Sequence, residues 1–278
     1  MIKQYNVDLL KILEKSQIFS YALTFIKDCF RYKGYLAGGF IRKLLLIHSN
    51  QFTLEQLEKD YCSYHCVHDI DFFFEDDMEL QKFYLKHIAS FSCASKNAYE
   101  CKHLSVKMQL IKTFIGKPED IISSFDLINV MVALKNNVVY VHEDWSKYEK
   151  LKLVHAVSWH SPMIVSRLNK YSHQGLQLSQ ETQRILPHAI LTFIEQKHII
   201  YSDMNFTHED IKTFSQITTH VHELISSDRI TNVNDLLLIA SLHLKLYKSY
   251  NCDLKLNDLI MQKLMIHNNN KMLANQNP

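Results

Sequence analysis

The fold is decided by LAGGFIRKLLL at residues 36–46 and by HDIDFFFED at residues 68–76. The first stretch predicts a short apolar strand, a tight turn at Gly38-Gly39 and a helix that follows at once. The second predicts a strand on which Asp69 and Asp71 share one face, because side chains two positions apart on a strand point the same way. Three phenylalanines follow the acids, which predicts that this strand is buried and its face fixed.

Apolar patterns predict further helices and strands around these two motifs. Helices are expected within 5–33, at 40–48, around 54–57, over 76–90 and after Pro118. Strands are expected at 105–114, 130–134 and 138–141, the last two joined as a hairpin by Lys135-Asn136-Asn137. From about residue 151 the pattern is helical, with candidate helices near 160–172, 179–197, 207–226 and 233–250.

This layout predicts an α+β fold, in which a small mixed β-sheet is flanked by helices and followed by an all-helical C-terminal unit. A catalytic domain with its N-terminal helices is expected at residues 1–150, a helical domain at 151–267 and a disordered Asn-rich tail at 268–278. The length of 278 residues suits two such domains, and only five glycines and four prolines interrupt the chain.

The composition restricts the class of protein. Hydrophobic residues make up 47% and charged residues 22%, which is enough apolar material for a packed core. The net charge of +2 gives no electrostatic sign of a strong nucleic-acid binder. Charges interrupt the apolar residues of the first stretch, MIKQYNVDLLKILEKSQ, and no apolar run approaches about 18 residues. We therefore expect a cytoplasmic protein without a signal peptide or a membrane span.

The glycine turn and the acidic pair together suit transfer of a nucleoside monophosphate from a nucleoside triphosphate. Two carboxylates on one strand face can bridge two metal ions about 3.5–4 Å apart, which activate the attacking hydroxyl and stabilise the leaving oxygen. Mg²⁺ suits such a site because it takes hard oxygen ligands and phosphates, and Mn²⁺ is the alternative. Gly38 and Gly39 let the backbone approach a phosphate, and a helix N-terminus at that point favours anions.

Two later stretches complete a set of four motifs in a fixed order: FDLINV at residues 125–130 and SPMIVSRLNKY at residues 161–171. With them, the sequence resembles the nucleotidyltransferases of the DNA polymerase β superfamily. The resemblance is closest to the branch that contains tRNA CCA-adding enzymes and bacterial poly(A) polymerases, and it extends over about residues 35–185.

The resemblance implies a nucleotidyltransferase that uses two metal ions, Mg²⁺ or Mn²⁺, and a nucleoside triphosphate such as ATP or CTP. Asp69 and Asp71 would bind the metal ions, and Asp126 would be the third catalytic acid. The implied nucleotide contacts are Gly38, Gly39, Arg42, Asn129, Arg167 and Lys170.

The sequence departs from the pattern of this branch at several positions. Lys43 stands where the branch has Asp after the Arg, and Ser161 and Ile164 replace the Asp and the first Arg of the fourth motif. Many superfamily members place the third carboxylate on the strand expected at 105–114, where Met108 and Gln109 stand. Either Asp126 replaces that carboxylate or the site uses two acids.

Three functions are compatible with these motifs. The first is transfer to an RNA 3′ end, with tRNA or another RNA as partner. The second is transfer to a protein hydroxyl or a small molecule, as in toxin-like or AMPylating relatives, which the modest net charge favours. The third is a nucleotide-binding module that has lost catalysis. The intact Asp69/Asp71 pair and Gly38-Gly39 turn speak against the third.

Overall fold

The structure of the protein is a computed structural model. It describes residues 1–62, 69–93, 95, 97–103, 106–159, 163–186 and 189. The chain divides into two compact units, Met1–Ser158 and Trp159–Pro278.

The first unit contains an eight-stranded mixed sheet in the order β1-β8-β7-β2-β3-β6-β5-β4. The strands are β1 (Ile2–Asn6), β2 (Gly34–Ala37), β3 (Asp69–Phe74), β4 (Ser92–Cys93), β5 (Ala98–His103), β6 (Val106–Ile115), β7 (Val132–Lys135) and β8 (Val138–His142). β3 and β6 run parallel, and the other neighbouring strands are antiparallel.

Helices connect these strands. They are α1 (Leu10–Leu13), α2 (Ser20–Arg31), α3 (Gly39–His48), α4 (Leu54–Cys62), α5 (Asp77–Lys86), α6 (Pro118–Ser123) and α7 (Trp145–Lys150). A short 3-10 turn, Ile128–Val130, precedes β7, and a two-residue strand, β9 (Leu153–Val154), follows α7.

One face of the sheet is the hydrophobic core. Phe72 and Phe74 of β3 are fully buried there, and the ring of Phe83 on α5 lies 6.2 and 5.3 Å from their rings. Phe25 on α2 contacts the same ring at 6.4 Å. Because side chains alternate along a strand, this core fixes Asp69 and Asp71 on the opposite face.

The opposite face is only partly covered. α6 packs on β2, β7 and β8, where Tyr35 stacks on Phe73 with ring centroids 5.8 Å apart. The Tyr35 hydroxyl donates a hydrogen bond of 2.8 Å to the carbonyl of Gly116. Asp69 and Asp71, farther along the same face of β3, stay half-buried.

The predicted α+β class is confirmed. The strand, turn and helix around Gly38 are also confirmed, as is the hairpin formed by β7 and β8. The N-terminal prediction needs correction, since residues 2–6 form a strand before the helices begin at Leu10. β1 is an edge strand with mostly exposed side chains, so pairing with β8, and not an apolar pattern, makes it a strand. β4 and β5 were likewise not expected from the sequence.

The described part of the second unit is mostly helical. It contains α8 (Met163–His173), the short strand β10 (Gln177–Leu178) and a helical stretch at 180–186. The helices expected near 207–226 and 233–250 and the tail at 268–278 lie outside the described residues. Within the described residues, no helix has the length and apolar character needed to cross a membrane.

Candidate active site

The turn between β2 and α3 requires glycine at position 38. Gly38 has φ 87° and ψ −147°, a conformation that L side chains rarely adopt, and it is the N-cap of α3. Its amide donates to the carbonyl of Val132 at 2.9 Å, and its carbonyl accepts from the amide of Arg42 at 3.1 Å. The strand therefore passes into the helix within one residue, and the N-terminus of α3 lies directly at the end of β2.

The acidic pair lies beside this turn. Ala37 pairs with Asp71 in the antiparallel β2–β3 ladder, so the chain reaches Gly38 and Gly39 alongside the Asp69 end of β3. The structure thus brings together two motifs that are separated in sequence by α3 and α4.

The neighbouring strands add three polar side chains to the same face. Asp69 pairs with Lys107 on β6, and Asp71 pairs with Gln109, which in turn pairs with Glu100 on β5. The Lys107 ammonium lies 2.6 Å from Glu100 Oε1 and 3.7 Å from Asp69 Oδ1. The Gln109 amide donates to Glu100 Oε1 at 2.7 Å.

These contacts keep Lys107 and Glu100 charged. Partial burial acts to raise the pKa of Glu100, but hydrogen bonds from Lys107 and Gln109 outweigh it and lower that pKa. Burial acts to lower the pKa of Lys107, yet the hydrogen bond to Glu100 and the charge of Asp69 raise it overall. The positively charged Lys107 side chain thus lies between the carboxylates of Glu100 and Asp69.

The donor set of this face fits a divalent metal ion that is held jointly with a substrate. Asp69 and Asp71 offer hard carboxylate oxygens, and Mg²⁺ is usually bound through one or two carboxylates together with substrate phosphates. The described residues contain no group of three His, Cys, Asp or Glu side chains that could hold a metal ion. The Lys107 ammonium near Asp69 shows that the face already accommodates a cation.

Arg42 and Asn129, both predicted nucleotide contacts, are joined in a buried polar network. Arg42 Nε and Nη2 donate to Glu149 Oε1 and Oε2 of α7 at 2.7 and 2.8 Å. The Asn129 amide donates to Glu149 Oε1 at 2.7 Å and to the carbonyl of Leu153 at 2.9 Å. Arg42, Asn129 and Glu149 are buried, with 4%, 0% and 6% of their surface exposed. Their direct contact with a nucleotide stays a prediction.

Lys43 stands where the motif that the sequence resembles has an Asp. Its contacts are separate from the network of Arg42, Asn129 and Glu149. Its ammonium lies 2.6 Å from Asp60 of α4 and 5.3 Å from the ring centroid of Tyr61. This buried side chain therefore ties α3 to α4.

Asp126 lies in the connection between α6 and the 3-10 turn. It is buried, and its carbonyl accepts from the amide of Val157 at 2.9 Å. The neighbouring Phe125 ring comes within 3.9 Å of the position that a Cβ atom on Gly38 would take. Asp126 thus directly follows a residue whose ring lies near the glycine turn. Its catalytic role stays a prediction.

Arg167 and Lys170 lie three residues apart on α8 in the second unit. Arg167 is exposed and Lys170 is half-buried. Their predicted phosphate contacts stay predictions.

Reasoning from the sequence missed Glu100, Lys107 and Glu149 as members of these clusters. The sequence of β6 alternates Lys107 and Gln109 with the buried residues Val106, Met108 and Leu110. This alternation could have predicted that Lys107 and Gln109 share the less buried face of the strand. No comparable signal exists for Glu149, since only the packing of α7 places it against Arg42.

The fold is similar to that of CCA-adding enzymes. Three solved structures show this at 13% sequence identity each: a CCA-adding enzyme with CTP (TM-score 0.52), a CCA-adding enzyme with ATP (0.51) and the Thermotoga maritima CCA-adding enzyme with tRNA (0.51). Each likeness covers 69% of this chain and 47–48% of the solved chain, so the protein spans about half the length of these structures.

The chain belongs to the Gabija anti-defense 2 family, whose model matches residues 12–152. That match includes the glycine turn and strands β2 to β8, and it leaves out β1. The predicted fold is therefore confirmed, whereas the family whose model matches is not the CCA-adding branch that the sequence resembles. A comparison with curated proteins finds no match.

Proposed function

We propose that this protein is a metal-dependent nucleotidyltransferase that moves a nucleoside monophosphate from a nucleoside triphosphate to an acceptor hydroxyl. The proposal rests on one observation above all. The pairing of Ala37 with Asp71 sets the N-terminus of α3 beside two carboxylates on one strand face. Such a site can bind a triphosphate through backbone amides and share its metal ions with that triphosphate.

The reaction forms a bond between the acceptor oxygen and the α-phosphorus and breaks the bond from that phosphorus to the pyrophosphate oxygen. The acceptor hydroxyl loses its proton to solvent, and pyrophosphate leaves. Bound Mg²⁺ or Mn²⁺ supplies activation of the attacking oxygen and stabilisation of the leaving one. Asp69 and Asp71 would hold the metal ions, and Gly38 and Gly39 would bind the triphosphate.

We assign Arg42 and Asn129 a positioning role in this reaction. Both are bonded to Glu149, and the amide of Arg42 also closes the first turn of α3 on Gly38. The network therefore fixes the helix start that meets the phosphates. Arg167 and Lys170 are proposed to add positive charge at the triphosphate, in keeping with the motif that they occupy.

The first candidate acceptor is the 3′ end of an RNA, with ATP or CTP as donor. Support comes from the fold, since the similar solved structures are CCA-adding enzymes in complex with CTP, with ATP and with tRNA. At 13% identity this likeness concerns the fold, so the acceptor has to be found by experiment.

The second candidate acceptor is a macromolecule of the Gabija defence. The family is described as Gabija anti-defense 2, which points to a role against that defence. Nucleotidyl transfer to a hydroxyl of a defence protein would serve such a role.

The test is a transfer assay with the purified full chain, Mg²⁺ or Mn²⁺, each α-³²P-labelled nucleoside triphosphate in turn, total RNA and lysate of cells with or without Gabija. We expect label on RNA for the first acceptor, and label on a protein found only in Gabija lysate for the second. Asp71→Asn should abolish either signal. Nucleotide binding without any label would indicate a module without catalysis and would contradict the proposal.

Asp126→Asn tests the third acid in the same assay. A large loss of transfer would support a catalytic role for Asp126, provided that thermal unfolding is unchanged. Activity within about twofold of the wild type would support a site with two carboxylates.

A further inference from the structure

The Lys107 side chain lies between Asp69 and Glu100 at the candidate site. Asp69, Lys107 and Glu100 lie on three neighbouring strands, on the face that also presents Asp71 and Gln109. The Lys107 ammonium is 2.6 Å from Glu100 and 3.7 Å from Asp69. It therefore forms a close ion pair with Glu100 and a longer one with Asp69. All three side chains are about 30% exposed, which leaves them accessible to ions.

The position of Lys107 has an electrostatic consequence for any metal ion. Asp69 and Asp71 on one face repel each other, and a nearby ammonium relieves that repulsion without a metal. A divalent ion at Asp69 meets the same ammonium as a like charge. The metal and Lys107 therefore compete for the Asp69 carboxylate.

Glu100 decides how strong this competition is. Its carboxylate offers Lys107 a second partner at a shorter distance, and the Gln109 amide holds that carboxylate by a 2.7 Å hydrogen bond. The more completely Lys107 is bonded to Glu100, the less it shields Asp69. Pairing of Lys107 with Glu100 would therefore leave the Asp69 carboxylate more available to a metal ion.

We propose that Lys107 is a built-in competitor of the divalent metal ion at Asp69, and that Glu100, held by Gln109, draws Lys107 away so that the metal can bind. This inference rests on the proposed function, since it needs a metal site at Asp69 and Asp71. It concerns occupancy of that site, and it predicts opposite effects for two residues that bond to each other.

The experiment measures Mn²⁺ affinity of the full chain without nucleotide, by electron paramagnetic resonance of free Mn²⁺ at low ionic strength. Lys107→Met is expected to tighten Mn²⁺ binding roughly tenfold, because an ammonium that lies 3.7 Å from the Asp69 carboxylate is removed. Glu100→Gln is expected to weaken it by a similar factor, because the ammonium then pairs with Asp69 alone. Lys107→Arg, which keeps the charge, should stay close to the wild type.

Two matched controls separate this effect from a general change of charge. Lys112→Met removes a lysine farther along β6, whose ammonium bonds to the carbonyl of Ser95 at 2.7 Å. Glu75→Gln removes the acid of a comparable half-buried pair, Glu75–Lys135 at 2.6 Å. Both should leave Mn²⁺ affinity within about twofold of the wild type, and thermal unfolding should show that every variant is folded.

The proposal is overturned if the Lys107→Met and Glu100→Gln variants shift Mn²⁺ affinity in the same direction, or if neither differs from its control. It is also overturned if no variant binds Mn²⁺ without nucleotide, because Lys107 then has no bound metal ion to compete with. Opposite shifts in a protein that transfers no nucleotide would support the competition while contradicting the proposed function, so the two failures are distinguishable.

Discussion

At the scale of single residues, Glu149 joins two buried polar side chains to the start of α3. Its carboxylate accepts two hydrogen bonds from Arg42 and one from Asn129. Removing one partner of a buried ion pair leaves an uncompensated charge, whereas replacing both partners with apolar residues costs much less. The network should therefore show strong coupling between its members.

We expect Glu149→Leu to lower the free energy of unfolding by about 3–5 kcal/mol, since it removes the carboxylate that accepts two hydrogen bonds from the buried Arg42 guanidinium. Arg42→Met should cost a similar amount, and the double variant should cost clearly less than the sum. Urea denaturation of all four proteins gives the coupling energy. Strictly additive losses would show that the pair is not energetically linked.

At the scale of elements, the passage from β2 into α3 depends on the backbone of Gly38. Among the residues that the structure describes, a Cβ atom there would meet the Phe125 ring alone, at 3.9 Å, so space is not the constraint within this part of the chain. The constraint is the backbone conformation, φ 87° and ψ −147°, which is essentially restricted to glycine and costs another residue about 1–3 kcal/mol.

Gly38→Ala is expected to lower stability by about that amount and also to weaken nucleoside triphosphate binding, because the α3 N-terminus must shift. Gly116→Ala is a suitable control, since Gly116 also has a positive φ but follows the far end of β6 from Lys107. Calorimetric titration with ATP or CTP should show weaker binding for the Gly38 variant alone. Equal affinities in the two variants would argue against phosphate binding at this turn.

A buried carboxylate ties α2 to α5. Asp28 lies 2.8 Å from the Lys86 ammonium and 2.7 Å from His87 Nε2, with Arg31 at 3.5 Å. Burial acts to raise the pKa of Asp28, but the hydrogen bonds from Lys86 and His87 outweigh it and hold the pKa below its ordinary value of about 3.8. A carboxyl whose pKa is lowered by folding stabilises the protein above that ordinary value, and the stabilisation is lost as the pH falls through the folded value.

We therefore expect Asp28→Asn to lower the free energy of unfolding by about 1–3 kcal/mol at pH 7, with the difference shrinking at pH 3 and below. Urea denaturation across this pH range measures it. Asp8→Asn, at an exposed pair with Lys11 at 3.4 Å, is the control and should change little at any pH. A penalty for Asp28→Asn that does not depend on pH would mean that the charge of Asp28 is not the stabilising feature.

At the scale of the whole molecule, the first compact unit ends at Ser158, whereas the sequence predicted a boundary at 150. Residues 151–158 form hydrogen bonds with the connection between α6 and β7. His155 and Val157 form backbone hydrogen bonds with Ile128 and Asp126, at 3.0 and 2.9 Å, and Leu153 accepts from Asn129. These hydrogen bonds make residues 151–158 part of the first compact unit.

A fragment of residues 1–158 is accordingly expected to unfold in one cooperative transition, and a fragment of residues 1–150 to unfold at lower urea concentration. The longer fragment should bind nucleoside triphosphate more weakly than the full chain if Arg167 and Lys170 contact the phosphates. Equal stability of the two fragments would support the boundary at 150 that the sequence predicted.

The sequence by itself determined the features that depend on near neighbours along the chain. Gly38-Gly39 predicted the turn because glycine alone tolerates a positive φ without strain, and the alternation after Asp69 fixed which side chains share a face. Pro118 predicted the start of α6 because its ring suits a first helical turn.

Only the tertiary structure decided which distant residues meet. Glu100, Lys107 and Asp69 come together through the register of three strands, and Arg42 meets Glu149 through the packing of α7. β1 is a strand because β8 is available to pair with it. Local patterns record backbone geometry and the direction of burial, whereas cross-strand register and helix packing depend on how the whole core fills, which no short stretch of sequence encodes.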